Sequence, residues 1–297
     1  MDLQLVFTST TGRSGTGYLA NIINTNAKNA SAEHDPYPRG YGDPIRWYDN
    51  FERDKLIKLA KKKITRLKRG KRYGKMLNLP LVRDTLGRGK KQSKSFLRLT
   101  RRLRNRVSSY IALVDIKEIY LESTHAFTKS FGEEMYLLNP QLSLIHLVRN
   151  PLHVAKSFYN RGSIPDPKNI YLLDPNFKRN ELKIISPMSD FQKCLWYWFE
   201  TELRHQRFIK KYDVEKVIDI DIEELNDEYQ VRKMFKILGI TFKQLKLSVD
   251  RNINIEPTIL SAQDLKDAKQ FVDTIPDWVF DRIGDKYSLR SYLSIES

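Results

Sequence analysis

Residues 6–23 read VFTSTTGRSGTGYLANII: an apolar run, a glycine-rich loop and a second apolar run. This is the pattern of a strand that turns through a loop into a helix. Gly12, Gly15 and Gly17 let the backbone approach an anion closely. The N–H groups opening the following helix then point toward that anion, with the helix dipole behind them. The loop is expected to hold a phosphate, against the plainer alternative of a tight turn with no ligand. A nucleoside-triphosphate loop would place lysine directly after its last glycine. Here that position is Tyr18, and the available cation is Arg13, inside the loop and followed by Ser14.

Outward from this stretch the chain alternates. Strands are expected at 3–9, 119–123, 142–148 and 216–221, and helices at 17–26, 151–160, about 190–211 and 228–238. Short apolar strands separated by helices predict a parallel sheet covered on both faces, which binds ligands at the carboxyl ends of its strands. The expected fold is one α/β domain over residues 1–297, a P-loop-like parallel sheet flanked by helices, with a basic helical insertion. A content of 40% hydrophobic and 11% aromatic residues is that of a globular chain. The single cysteine, Cys194, lies in CLWYWF and reads as a buried structural thiol rather than a nucleophile. No apolar run approaches the roughly 20 residues that span a bilayer. MDLQLVF reads as a first strand rather than a secretion signal, so a soluble cytoplasmic protein is expected.

The formal charge of +16 is concentrated in one segment. Residues 52–107 hold 22 Lys/Arg against 3 Asp/Glu, while the remainder holds 30 against 33. Within the segment, Leu56, Ala60, Ile64 and Leu67, then Phe96, Leu99, Leu103 and Val107, recur at helical spacing among cations. Two readings stand side by side: solvated basic helices packed by apolar stripes, or a surface for an anionic lipid, acidic glycan or nucleic acid. Few aromatics interleave the cations, which argues against single-stranded nucleic acid.

A second site lies in LSLIHLVRNPLHVAKSFYNRG (142–162), where a strand runs directly into Arg149 and the following helix carries Ser157. A strand-end arginine is costly to bury unless an anion or carboxylate meets it. Many Mg²⁺-dependent P-loop enzymes end a strand with an acidic metal ligand instead. Arg149 points to a second phosphate held without a metal. IALVD, ending in Asp115, could imitate the acidic strand end and keeps a kinase reading open. His146, mid-strand, and His205, in a charged helix, read as structural.

Together, TGRSGTGYL and RNPLHVAKSFY resemble the two cofactor motifs of the sulfotransferases that use 3′-phosphoadenosine 5′-phosphosulfate (PAPS). Arg13, Ser14, Gly15 and Thr16 fit the 5′-phosphosulfate loop, with Gly17 where the family usually has threonine. Arg149, Asn150, Val154 and Ser157 fit the 3′-phosphate motif, with His153 in place of the common acidic residue. VIDIDIEELND, with the helix ending FKILGI, is similar to the family's C-terminal part; the basic segment is outside the resemblance. The resemblance implies that Gly12, Arg13, Ser14, Gly15, Thr16, Gly17, Tyr18, Arg149 and Ser157 bind PAPS. Arg13 and the loop amides would supply charge where the leaving phosphate develops it. No Cys/His ligand cluster is visible in the sequence, and no metal is expected.

LESTHAF is similar to the Lys-Thr-His segment of the cytosolic sulfotransferases, which nominates His125 as general base; Ser123 stands in the lysine's place. SAEHDPYP lies where Golgi-type sulfotransferases carry a glutamate base, which nominates Glu33, then His34, with Asp35 a lesser fit. The activity implied is sulfuryl transfer to a hydroxyl or amine of an acceptor the sequence does not name, with a glycan or a lipid as the options. Contact with an anionic acceptor or membrane surface is the expectation for the basic segment 52–107. A P-loop small-molecule kinase and a non-catalytic polyanion-binding protein are the alternatives.

Overall fold

The computed structural model describes residues 4–34, 118–125, 127–128, 132, 136, 140–164, 188–242, 245–247, 258–274 and 289–296. The basic segment 52–107 and Asp115 lie outside the described residues. Among the described residues five strands form one sheet: β1 (Gln4–Ser9), β2 (Ala30–His34), β3 (Ile119–Ser123), β4 (Ser143–Val148) and β5 (Lys216–Asp221). Their order is β2-β3-β1-β4-β5, and every pairing is parallel. The helices are α1 (Thr16–Asn26), α2 (Pro151–Asn160), α3 (Asp190–Tyr212), α4 (Glu228–Leu238), α5 (Ala262–Thr274) and α6 (Leu289–Glu296), with a 3₁₀ turn at Glu223–Asn226.

The core explains the apolar runs. Every residue of β3 and β4 is buried, as a parallel strand covered on both faces requires. On one face Val6, Leu121, Ile145 and Ile218 pack with Leu19 and Ile23 of α1 and Val231 and Phe235 of α4. On the other, Phe7 and Leu144 meet Phe208 of α3. Each such side chain, removed from water, contributes about 1.5–3 kcal/mol. α3 extends this second layer to α2, α5 and α6 through Leu195, Phe199 and Phe271. Cys194 is fully buried there, and burial first, then Asp190, pushes its thiol up to about 12. A thiol with that pKa is inert at neutral pH.

Helix ends follow local chemistry. Asn150 accepts from the Leu152 amide with Pro151 in the first turn of α2. Ser189 and Gln192 form a capping box on α3, and Gly239 closes α4 in the left-handed conformation at φ 72°. Four strands and four helices coincide with the sequence expectations to within a residue. Strand β2 and helices α5 and α6 are additions.

Candidate active site

The loop between β1 and α1 is built from left-handed backbone. Gly12 (φ 96°), Arg13 (φ 58°) and Gly15 (φ 82°) adopt positive φ. Positive φ at three of the four positions 12–15 turns the chain sharply just ahead of α1. Gly15 is the N-cap of α1, which has no side-chain cap and no acidic residue in its first turn. The positive end of α1 thus carries donors that no capping side chain answers, the arrangement that suits an anion.

Close packing fixes the cradle from four sides. A Cβ at Gly12 would lie 3.1 Å from His125 Cβ and 3.7 Å from Phe158. At Gly15 it would stand 2.1 Å from Ile222 Cδ1, and at Gly17 3.4 Å from the His34 ring. His125 follows β3, Phe158 sits on α2, Ile222 follows β5 and His34 ends β2, so elements across the whole sheet converge on the loop. Ser14 Oγ donates to the Gly12 carbonyl (3.1 Å), Ser123 Oγ to the Thr16 carbonyl (2.7 Å), and Tyr18 Oη to Asn226 (3.2 Å).

The second motif is tied to the first by two direct hydrogen bonds. Arg149 donates to the Arg13 carbonyl at 2.9 Å, and Arg13 Nε donates to Ser157 Oγ at 2.9 Å. Burial lowers the Arg149 pKa, and Glu223 and Asp221, just beyond and at the end of β5, oppose that fall. The strand-end arginine therefore lies in the field of two carboxylates. Arg13 reaches across to Ser157 on α2.

The three candidate bases fall into different environments. His125 lies against Gly12, beside the cradle. His34 packs on the first turn of α1 at Gly17, with Nδ1 3.3 Å from the Ser123 carbonyl. Glu33 pairs in register with Glu122, which in turn pairs with Phe7, two residues below the end of β1. Burial pushes the Glu33 carboxyl up to about 8; the Glu122 carboxylate adds to the rise and a Tyr120 hydrogen bond opposes it.

Among the described residues, one His/Asp group brings ligand-type atoms within 4.8 Å of one another: His146, His205 and Asp219. Both ring nitrogens of His146 already face carboxylates, Glu202 at 2.6 Å and Asp219 at 2.7 Å. The two imidazoles stack 3.8 Å apart at 14°, so their in-plane lone pairs run side by side and do not converge on one ion at about 2.0 Å. Sequence reasoning had no access to Ile222 as a wall of the cradle or to the β2 contacts. The acidic run VIDIDIEELND was visible, but not that it flanks Arg149.

The fold defines an α/β protein in which a glycine loop and a strand-end arginine meet at the carboxyl edge of a parallel sheet. The chain belongs to the sulfotransferase domain family, whose family model matches residues 3–254. It is similar to a solved sulfotransferase from Alicyclobacillus acidocaldarius (14% identity, 98% of this chain and 99% of that one, TM-score 0.49). It is also similar to the sulfotransferase domain from the curacin biosynthetic pathway (12%, 92% and 98%, TM-score 0.48). A third is the sulfotransferase domain of the Synechococcus PCC 7002 olefin synthase (11%, 93% and 96%, TM-score 0.44). No match was found among curated protein sequences.

Proposed function

We propose that this sulfotransferase-family protein takes PAPS as donor and transfers its sulfuryl group to a hydroxyl or amine of an acceptor. The observation that carries the reading is the pair of hydrogen bonds joining Arg13 to Arg149 and Ser157. These bonds join the glycine loop to Arg149 and to the helix carrying Ser157, which supports the reading of one ligand with phosphates at both ends. The loop's geometry supports such a group: Gly15 leaves no room for a Cβ, Gly12 leaves little, and α1 begins without a side-chain cap.

In this reading Gly12, Ser14, Gly15, Thr16, Gly17 and Tyr18 form the loop and helix start that hold the 5′ end. Arg149 and Ser157 hold the 3′-phosphate. Bound there, the cofactor supplies the sulfuryl group and leaves as adenosine 3′,5′-bisphosphate. Arg13, released from Ser157, stabilises negative charge on the 5′ side. His125 accepts the proton of the acceptor, since it lies against the loop and an imidazole titrates near neutral pH. Glu33 is a second candidate, because its raised pKa of about 8 is that of a carboxylate able to take a proton near neutrality. His34 is the third. The acceptor is an anionic glycan or a lipid, met in the cytoplasm or at an anionic membrane surface by residues 52–107.

Thermal stability with adenosine 3′,5′-bisphosphate tests the reading, because a ligand that binds only the folded state raises Tm. A rise with this ligand and none with Mg-ATP is expected. The reverse pattern would replace the reading with a kinase.

A further inference from the structure

A polar row, buried except at Asp219, whose side chain is 52% exposed, crosses the sheet beneath the loop. Ser9, His146 and Asp219 are register partners on β1, β4 and β5, so their side chains share one face. Above them α3 presents Glu202 and His205, three positions apart and therefore on one side of the helix. Glu202 meets His146 at 2.6 Å and His205 Nδ1 meets Ser9 Oγ at 2.8 Å. Ser9, His146 and Glu202 are at most 2% exposed, and His205 is 1% exposed. Burial alone would lower the pKa of His146, yet Glu202 and Asp219 push it up to about 9. Burial first, then the His146 charge, holds His205 well below its usual range. The two imidazoles lie face to face, with ring centroids 3.8 Å apart and planes at 14°.

Apolar side chains would fill this space at lower desolvation cost. The polar row instead fixes direction. Ser9 is the last residue of β1 and stands three positions before Gly12, so any shift of Ser9 moves the amides of the loop. Its hydroxyl meets the His205 ring at 2.8 Å, and that ring is stacked on His146, which itself lies between two carboxylates.

We infer that His205 is a positioning residue: through Ser9 and its stack on His146 it sets where the phosphate-binding loop stands relative to α3. The inference rests on the proposed cofactor role of that loop for its catalytic meaning, though not for its structural test. Hydrogen exchange of peptides covering residues 10–17 in the unliganded full chain reads loop placement directly. Affinity for adenosine 3′,5′-bisphosphate reads its consequence. Ser9→Ala and His205→Phe should each speed loop exchange and weaken binding by about tenfold, the worth of one buried hydrogen bond. The double variant should be no worse than either single change. His205→Asn can keep a donor or acceptor at the Nδ1 position while losing ring volume. It should lower Tm more than His205→Phe, yet leave the loop closer to wild type. If loop exchange tracks lost volume instead, with His205→Asn the worst of the set, or if no variant alters it, the inference is overturned. Should wild type not bind the nucleotide at all, the proposed function fails, while the exchange result still decides the role of His205.

Discussion

Gly15→Ala tests the cradle most directly. Two costs can be read from the structure. The residue sits at φ 82°, where an added Cβ costs about 1–2 kcal/mol. The same Cβ would stand 2.1 Å from Ile222 Cδ1 and 2.9 Å from Cγ1, an overpacking worth about 1–3 kcal/mol. Together they approach about 2–5 kcal/mol, a large part of the 5–15 kcal/mol typical of a domain. The two parts separate by mutation. Ile222→Ala removes Cδ1 and Cγ1 and leaves only Cβ, 3.8 Å away in ordinary contact. In the double variant the packing cost should vanish and the backbone cost remain. Urea unfolding followed by tryptophan fluorescence, with Trp196 and Trp198 buried in α3 as reporters, would give all four corners of the cycle. A coupling of about 1–3 kcal/mol is expected, with Gly15→Ala less damaging in the Ile222→Ala background. Additive changes would refute the contact. A Gly15→Ala cost below about 1 kcal/mol would refute the left-handed conformation as well.

Stability should fall as pH rises from mildly acidic to alkaline. The folded pKa of Glu33, about 8, lies above the ordinary 4.5, and that of His146, about 9, above 6.5. The folded state therefore binds more protons, so the Glu33 contribution is lost between pH 4.5 and 8 and that of His146 between 6.5 and 9. A urea midpoint lower at pH 9.5 than at pH 6 would bear this out, a higher one would contradict it, and Glu33→Gln should flatten the acidic part of the slope. Arg149→Ala should weaken adenosine 3′,5′-bisphosphate by about 2–5 kcal/mol in calorimetry, and unchanged affinity would remove Arg149 from the site. His125→Ala should lower turnover about 10²–10⁴-fold with nucleotide affinity kept; the same pattern in Glu33→Gln or His34→Ala would move the base there. Neutralising Lys61–Lys63 and Arg101–Arg102 should reduce binding to anionic vesicles or acceptor and flatten its salt dependence, each cation being worth about 1 kcal/mol near the surface. Wild-type vesicle and acceptor binding by that variant at low salt would leave the segment a solvated face.

How much the sequence determined follows from the range of the forces involved. The run from β1 through Gly12 and Gly15 into α1 was legible because glycine placement and apolar spacing act over a few residues. The same holds for β4 running into Arg149 and the Pro151 helix start. Strand β2 was not legible. ASAEH carries little apolar signal, and it is a strand because β3, some ninety residues later, offers it a parallel ladder from Ala30 to His34. That pairing, with the order β2-β3-β1, is what brings His34 to Gly17 and sets Glu33 beside Glu122. The sequence could nominate His125, Glu33 and His34 as bases, but their distances from the loop depend on strand order, which no local pattern encodes. Arg13 was legible as the loop's cation. That it bonds to Ser157, 144 residues away, and offers its carbonyl to Arg149 was decided only by tertiary structure, because parallel strands place distant residues at one edge of the sheet.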